Sequence, residues 1–254
     1  MENDMNRELL KRIEDLILQT ERKNIPSHTA FLDGAESAEA ALFLKRQKGI
    51  SYLFSGGFED AERKMLLILP DYLDAEFFIP DEYISAIRVS HSFGELCHRD
   101  YLGSLMGLGI KRETLGDILV FPNRAYILCA PQIAGYITDN LEKIGRVGVK
   151  CEICPLSEIE IPEPVFDEVS GTVASLRADA LTALAFGISR TVAADMIRDG
   201  RLSLNHIELL NPSADISEDD LLSLRGFGRA RLVDVGGTSK KGRQFVTFNV
   251  FSKK

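Results

Sequence analysis

Arg190, Ala194 and Arg198 recur four residues apart near the carboxyl end of a 254-residue chain. On a helix, that spacing sets two guanidinium groups on one stripe with a methyl group between them. A guanidinium fork matches phosphate oxygens in both geometry and charge. The stripe therefore suits a sugar–phosphate backbone, and the small alanine would let that backbone approach. Ser189 stands before the stripe as an N-cap, and the free N–H groups of a helix start add positive potential. Arg201 falls just past the helix end and extends the same surface. Further on, Arg225-Gly226-Phe227-Gly228-Arg229 spaces two arginines around two glycines, which let a backbone come close to a ligand. Lys240-Lys241-Gly242-Arg243 forms a basic loop between strand-like runs at 231–235 and 244–251. On its own, such a loop is ordinarily a solvated one.

The net charge of −8 opposes polyanion binding by the molecule as a whole. Its distribution does not. Residues 1–170 hold 18 basic and 29 acidic side chains, whereas residues 171–254 hold 12 basic and 9 acidic ones, a net of +3. Charge acts locally, screened over roughly 8 Å at physiological salt, so a basic region can bind while the whole is acidic. No apolar run approaches the roughly 20 residues that span a bilayer, and residues 1–6 lack the order of a signal peptide. The expected address is the cytoplasm, with no membrane partner.

Catalytic readings find little support. His98-Arg99-Asp100 matches a kinase triplet only in letters, because no glycine-rich phosphate loop precedes it and no D-F-G follows. Gly103, Gly107 and Gly109 do not follow a strand as a dinucleotide fingerprint requires. His28, His91, His98 and His206 are scattered without motif partners. Cys151 and Cys154 form a lone C-x-x-C on a strand-like segment, which would point the two thiols to opposite faces. Buried reduced thiols are expected there, with no metal and no cofactor. Arg99, Lys111 and Arg112 bracket one predicted helix, either as a second basic contact or as its solvated ends.

The expected class is α+β. Residues 5–22 and 35–48 read as helices, and 51–54 and 65–69 as strands, giving a small α+β domain over residues 1–75. Residues 76–158 read as β (84–89), α (99–108), β (117–121), β (125–129), α (131–144) and β (149–154), the ferredoxin-like βαββαβ order. RNA-recognition domains of that topology stack bases on aromatics of the central strands. Here only Phe121 and Tyr126 are on offer. Residues 159–172, with Pro162 and Pro164 among carboxylates, read as an extended linker. Residues 173–254 form the last domain. In it, 176–186 and 190–199 are helices, closed by Gly187 and Gly200.

The segment 176–229 resembles the S-four (αL-type) RNA-binding domain. It shows the R-x-D of a first helix in Arg177-Ala178-Asp179. It then shows Ser189-Arg190, Ala193, Ile197, Gly200 and Leu204-Asn205 against S-R-x-x-A-x-x-I-x-x-G-x-V-x-V-N, and finally Arg225-Gly226-Phe227-Gly228-Arg229. Three positions depart from the pattern: His206 stands where glycine follows Asn205, Asp219-Asp220 replaces Gly-Asp, and Ser203 replaces an apolar residue. Asp219 would place a carboxylate where it could repel phosphate. Elsewhere, His98-Arg-Asp-Tyr-Leu-Gly103, Leu108-Gly-Ile-Lys-Arg-Glu113, Gly116-Asp-Ile118, Phe54-Ser-Gly-Gly-Phe58, Ala61-Glu-Arg-Lys64 and Val233-Asp-Val-Gly-Gly237 resemble YlmH-type proteins of bacteria. That resemblance implies ribosome association, on stalled large subunits still holding peptidyl-tRNA, with genes near cell-division loci.

The resulting expectation is a non-enzymatic binder of structured RNA, ribosomal RNA or tRNA, working on the ribosome in quality control. Its contacts would be Arg177, Ser189, Arg190, Ala194, Arg198, Arg201, Asn205, Arg225, Gly226, Arg229, Lys240, Lys241 and Arg243. Two alternatives stand beside it. One is an RNA-modifying enzyme with an active site in residues 76–160. The other is a cell-division adaptor that docks through its acidic first domain.

Overall fold

The computed structural model describes residues 2–163 and 165–251. It falls into two compact units, Met1–Pro162 and Glu163–Lys254. Pro164 lies outside the described residues.

The first unit opens with α1 (Glu2–Lys23), whose stripe of Leu9, Ile13, Leu16 and Ile17 packs inward as the periodicity requires. After β1 (Ser27–His28) comes α2 (Gly34–Leu44), started by a capping box. Asp33 Oδ1 accepts from the Glu36 N–H at 2.9 Å, and Glu36 Oε2 accepts from the Asp33 N–H at 2.8 Å. Strands β2 (Ser51–Ser55) and β3 (Met65–Leu69) pair antiparallel, and β1 adds on the other side of β3.

Met-Leu-Leu-Ile-Leu, the whole of β3, is buried. Leu66 and Ile68 pack with Ile13, Leu32, Ala40 and Leu44 beneath the helices. Met65, Leu67 and Leu69 face the other way, into a second sheet. An apolar run without polar alternation is what a strand covered on both faces needs.

That second sheet is built from β4 (Ser85–Ser90), β5 (Leu115–Phe121), β6 (Arg124–Cys129) and β9 (Lys150–Cys154). Between them run α3 (His98–Gly107), α4 (Pro131–Asn140) and a small hairpin, β7 (Lys143–Ile144) with β8 (Val147–Gly148). The spatial order is β5-β6-β4-β9, antiparallel throughout, as the split βαββαβ unit demands. Helix α4 stops four residues before the expected end at Ile144. Leu141 leaves helical backbone, and Ile144 instead pairs with Val147 across Gly145 at φ +58°.

One face of this sheet buries Ile87, Val89 and Ile127 against Tyr101, Leu105, Ala134 and Ile137 of the helices. The opposite face buries Ala86, Tyr126 and Leu128 against Phe31, Met65, Leu67 and Leu69. Cys151 packs on the first side and Cys154 on the second, so the period-2 argument holds for the pair. Burial pushes the Cys151 thiol up to about 11 and the Cys129 thiol up to about 12.

Residues of the Ala61-Glu-Arg-Lys64, Lys111-Arg-Glu113 and Gly116-Asp-Ile118 motifs close the joint between the two sheets. Asp117 accepts from the backbone N–H of Glu62 at 2.6 Å and of Arg63 at 3.1 Å. The Arg63 guanidinium donates to the carbonyls of Leu115 (3.0 Å) and Phe31 (2.8 Å), and Arg112 donates to those of Leu115 (2.9 Å) and Gly116 (3.2 Å). At Gly116 an added Cβ would come within 2.8 Å of the Phe31 ring. Arg112 is therefore spent on backbone, and of the second basic group only Arg99 and Lys111 are exposed.

The second unit is a six-stranded sheet with two helices. Its strands are β10 (Asp167–Val173), β11 (Leu202–Leu204), β12 (Ile207–Glu208), β13 (Leu221–Leu224), β14 (Gly228–Thr238) and β15 (Gln244–Phe251), in the order β10-β15-β14-β13-β11-β12. The second half of the expected linker is thus a strand: residues 167–173 pair with β15 along their whole length. Helices α5 (Ala178–Ala185) and α6 (Arg190–Arg198) turn by 115° on each other and close one core with the sheet, around Leu181, Ile197, Leu222, Leu232 and Phe248. No single described helix is long and apolar enough to cross a membrane.

Candidate nucleic-acid interface

Helix α5 ends at Gly187 (φ +63°) and α6 begins at Ser189, whose Oγ accepts from the Val192 N–H at 3.2 Å. This tight corner swings Arg190 back over α5. There it meets Asp179, a carboxylate buried in the first turn of α5. Arg190 donates from Nε to Oδ2 at 3.0 Å and from Nη2 to Oδ1 at 3.1 Å. Arg177 adds a second, longer fork, with both distances 3.3 Å. Burial would raise the Asp179 carboxyl. The two guanidinium groups outweigh it and hold the group below the usual carboxylate range.

Each expected contact on α6 is altered by its partners. Arg190 stays 53% exposed and Arg198 62% exposed, so both remain accessible. Arg198 is nevertheless paired with Asp195 at 2.8 Å, which neutralises that end of the helix. Ala194 does not form a flat outer face. It is buried with Ala193 and Ile197, while Val192 faces solvent. Residues 193, 197 and 194 fall within about 100° of the helical wheel, so the buried arc sits one position round from the one hydrophobicity alone selects. Valine is placed outside and alanine inside.

Past α6, Gly200 turns the chain at φ +67°, and Arg201 becomes a tether. Its Nη2 donates to the Arg225 carbonyl at 3.0 Å, and the backbone N–H of Arg225 donates to the Arg201 carbonyl at 2.9 Å. The turn so held carries Gly226 at φ +98° and Gly228 at φ +123°, conformations that glycine adopts without strain. Phe227 packs edge-on against Phe186, with ring centres 6.2 Å apart. The Arg225 side chain is exposed and makes no ion pair among the described residues, and the same is true of Arg231 on β14.

Asn205 and His206, both at positive φ, form the two-residue turn joining β11 and β12, so the missing glycine does not abolish it. Asn205 is committed to the fold. Its Nδ2 donates to Asp220 Oδ1 at 2.7 Å, and its Oδ1 accepts from the Leu221 N–H at 2.9 Å. Asp220 Oδ2 accepts from the Ser217 N–H at 2.8 Å, so both oxygens of that carboxylate are engaged. Asp219 remains exposed.

The structure separates the two basic loops. Turn 225–227 precedes β14 and loop 239–243 follows it, at opposite ends of an eleven-residue strand. At ~3.3 Å per residue that is more than 30 Å of chain. Arg243 also proves structural. It donates from Nε to Thr172 Oγ1 at 3.1 Å and from Nη2 to the Thr172 carbonyl at 2.5 Å, pinning the loop to β10. Lys240 and Lys241 project from that loop without ion pairs among the described residues. The residues brought together are Arg177 with Arg190 through Asp179, and Arg201 with Arg225 and Gly226. Asp179, Phe186, Phe227 and Arg231 are the neighbours that spacing alone did not single out, although the R-x-D of the first helix contains Asp179.

In the first unit, base stacking on the sheet face is closed off. Tyr126 is 2% exposed under the Phe31 and Met65 cluster, and Phe121 packs edge-on against it. Arg88 pairs with Glu152 (3.0 Å) and Glu158 (2.7 Å), and Arg124 pairs with Glu160. No group of three or more His, Cys, Asp or Glu side chains able to hold a metal ion occurs among the described residues.

Two family models match the chain. One, described as "YlmH, N-terminal", covers residues 5–73, and one described as "Putative RNA-binding domain in YlmH" covers residues 81–158. The Bacillus subtilis (strain 168) protein called "Ribosome-associated protein quality control protein P2" is 32% identical over 220 residues, which is 87% of this chain and 85% of that protein. A solved structure, "Cell division protein ylmH from Streptococcus pneumoniae", is 30% identical, covers 63% of this chain and 92% of its own, and superposes with a TM-score of 0.48. With the motif residues that seal the joint at Arg63, Arg112, Gly116 and Asp117, the two family models and the Bacillus subtilis relative establish that the chain belongs to the YlmH family.

Proposed function

We propose that this protein binds structured RNA through its second unit, as an S-four-type domain, and does so on the ribosome without catalysing a reaction. The carrying observation is the group of exposed arginines around the α5–α6 corner and the 225–228 turn. Arg190 is fixed there by a buried carboxylate, and Arg225 makes no ion pair among the described residues; a further arginine without an ion pair, Arg231, alternates with buried Ala230 and Leu232 and so lies on the sheet face turned away from the helices. A fork held at one end by Asp179 loses little freedom when a phosphate arrives, which favours binding. The related Bacillus subtilis protein carries ribosome-associated quality control in its name. Its likeness over most of both chains supports the same setting here. In that setting the bound RNAs are ribosomal RNA and tRNA on the large subunit, and the compartment is the cytoplasm.

Within the second unit, Arg177, Ser189, Arg190, Arg198, Arg225, Gly226 and Arg229 form or frame the main contact, and Arg231 extends it onto the outer face of the sheet. Lys240 and Lys241 form a separate, weaker one. Arg201, Asn205 and Arg243 position loops, and Ala194 lets α6 pack.

The test is sucrose-gradient fractionation of cell extract followed by RNA crosslinking and peptide mapping. The proposal expects the protein in the large-subunit fractions, with crosslinks in peptides spanning residues 186–201 and 222–231. A protein that stays at the top of the gradient, or crosslinks confined to residues 1–162, would refute it.

A further inference from the structure

Residues 70–83 join β3 to β4 and are anchored on their inner side. Leu73, Ala75, Phe78 and Tyr83 pack into the core between the two sheets of the first unit. Tyr83 meets His28 edge-on, with ring centres 5.3 Å apart, and Phe78 lies 6.0 Å from it. The Tyr72 hydroxyl donates to the Asn24 carbonyl at 3.1 Å. Asp74 Oδ1 accepts from the Glu76 N–H at 2.9 Å, and the Asp74 carbonyl accepts from the Phe77 N–H at 3.2 Å. The fold itself therefore sets the shape of this loop.

The residues between those anchors face outward. Tyr72 is 62% exposed, Phe77 78% and Ile79 71%. Apolar side chains scattered singly over a surface are ordinary. Here three fall within one short segment whose sequence neighbours are packed away. Burying a phenylalanine or isoleucine side chain stabilises a fold by about 1.5–3 kcal/mol, and this fold leaves both in water.

Charge of one sign accompanies them. Asp71, Asp74, Glu76, Asp81 and Glu82 are exposed, and no Lys or Arg occurs from residue 70 to residue 84. None of the five carboxylates makes an ion pair among the described residues. Burial pushes the Tyr83 hydroxyl up, and Glu82 and the Tyr72 hydroxyl push it further, so the two ends of the segment lie close together. Arg22 and Lys23 close α1 just before Asn24. Five carboxylates against those two cations still leave the surface negative.

An apolar centre rimmed by charge is the anatomy of a protein interface, and the sign of the rim selects the partner. RNA phosphates and anionic lipid headgroups would meet like charge. A wholly apolar partner would strip water from carboxylates and leave them unpaired. We propose that this loop docks a lysine- and arginine-rich segment of a partner protein. An apolar side chain of that segment sits on Phe77 and Ile79, and its cations pair with the carboxylates around them. The inference goes beyond the RNA contact of the second unit and does not depend on it.

The test measures fluorescence anisotropy of the full chain with a short labelled peptide rich in lysine and arginine and carrying two leucines. The parent should bind it, more weakly as salt rises. Phe77→Ser with Ile79→Ser removes the apolar seat, and Asp71→Asn with Asp81→Asn removes two charges. All four side chains are exposed, so melting temperatures should stay at the parent's value. Each double variant is expected to bind the peptide about tenfold more weakly, the scale of losing an interface anchor. The charge variant should also flatten the salt dependence, and the apolar variant should not. A peptide with serines in place of the leucines should lose as much affinity for the parent as the apolar variant loses for the original peptide. No peptide binding by the parent, or full affinity in both double variants, would overturn the proposal. So would a parent that sediments as a dimer while the apolar variant is a monomer, because the occupant would then be a second copy. Weaker binding of a structured ribosomal RNA fragment by the apolar variant would assign the loop to RNA and overturn it as well. The second-unit reading is checked separately by Arg225→Ala with Arg231→Ala, which should weaken the RNA fragment and leave the peptide bound as before; full RNA affinity in that variant refutes the second-unit reading alone.

Discussion

Arg190 and Asp179 are joined by a two-pronged hydrogen bond across the corner between α5 and α6, at 3.0 and 3.1 Å. The carboxylate is buried and the guanidinium half exposed, so the pair couples the core of the second unit to its cationic surface. Arg190 therefore has two roles, one in holding Asp179 and one in meeting phosphate, and variants must separate them.

Truncating Arg190→Ala leaves Asp179 with only the longer Arg177 fork. A buried acceptor that loses a charged partner costs about 1–3 kcal/mol, and the remaining fork and the exposure of Arg190 place the loss near the lower end. A drop of a few degrees in melting temperature is expected. The exposed Arg198→Ala, paired only with exposed Asp195, should cost less than about 0.5 kcal/mol and so lower it by less than Arg190→Ala does. Equal melting temperatures for the two variants would contradict the geometry.

Asp179 also sets an acid dependence. Its carboxyl is lowered in the fold, so its contribution is fully present above the unfolded value of about 3.9 and disappears as pH falls through the folded value. Asp179→Asn should be less stable than the parent at pH 7, and the gap should begin to narrow below about pH 4 and close as pH falls through the lowered folded value. Asp117 acts in the opposite sense. Burial raises its carboxyl despite two backbone donors, so its charged form weighs against the folded first unit, and that penalty fades as pH falls towards 3.9. Chemical denaturation of Asp179→Asn at pH 7 and pH 3.5 is the check; a gap that widens in acid would be the wrong sign.

Because β3 is shared by two clusters, the first unit should unfold as one. Leu67→Ala removes a fully buried side chain that faces the second sheet, and such truncations cost about 2–5 kcal/mol. Calorimetry should show one transition for residues 1–162 moving as a whole. A variant in which residues 1–75 melt separately while 76–158 stay folded would show that the two sheets are independent.

The fold is legible in the sequence where one element answers to one pattern. The α1 stripe, the βαββαβ order, the Gly187 and Ser189 corner and the β14–β15 loop each follow from a period or a turn residue. Legibility ends where the pattern is written in partners. Strand β10 offers only Val169 and Val173 as apolar residues, and Gly171 belongs there because a Cβ would collide with Leu184 at 2.6 Å. Ala194 looks like a surface methyl until the packing of α6 is known. Arg201, Arg243 and Asn205 have the residue types of ligand contacts, and their bonds to Arg225, Thr172 and Asp220 cannot be read from spacing. The unbroken apolar run of β3 suits burial on both faces, but from sequence it reads only as a strand, and nothing in it names the second sheet as the cover.

The central claim is that exposed arginines of the second unit hold RNA electrostatically, and salt titration tests it most directly. Affinity of the full chain for a structured ribosomal RNA fragment should fall steeply as salt rises. Arg225→Ala and Arg231→Ala should each reduce the slope of log affinity against log salt by about 0.7–0.9 for every phosphate no longer neutralised, with no change in melting temperature. A folded double variant with the parent's affinity and the parent's slope would contradict the account.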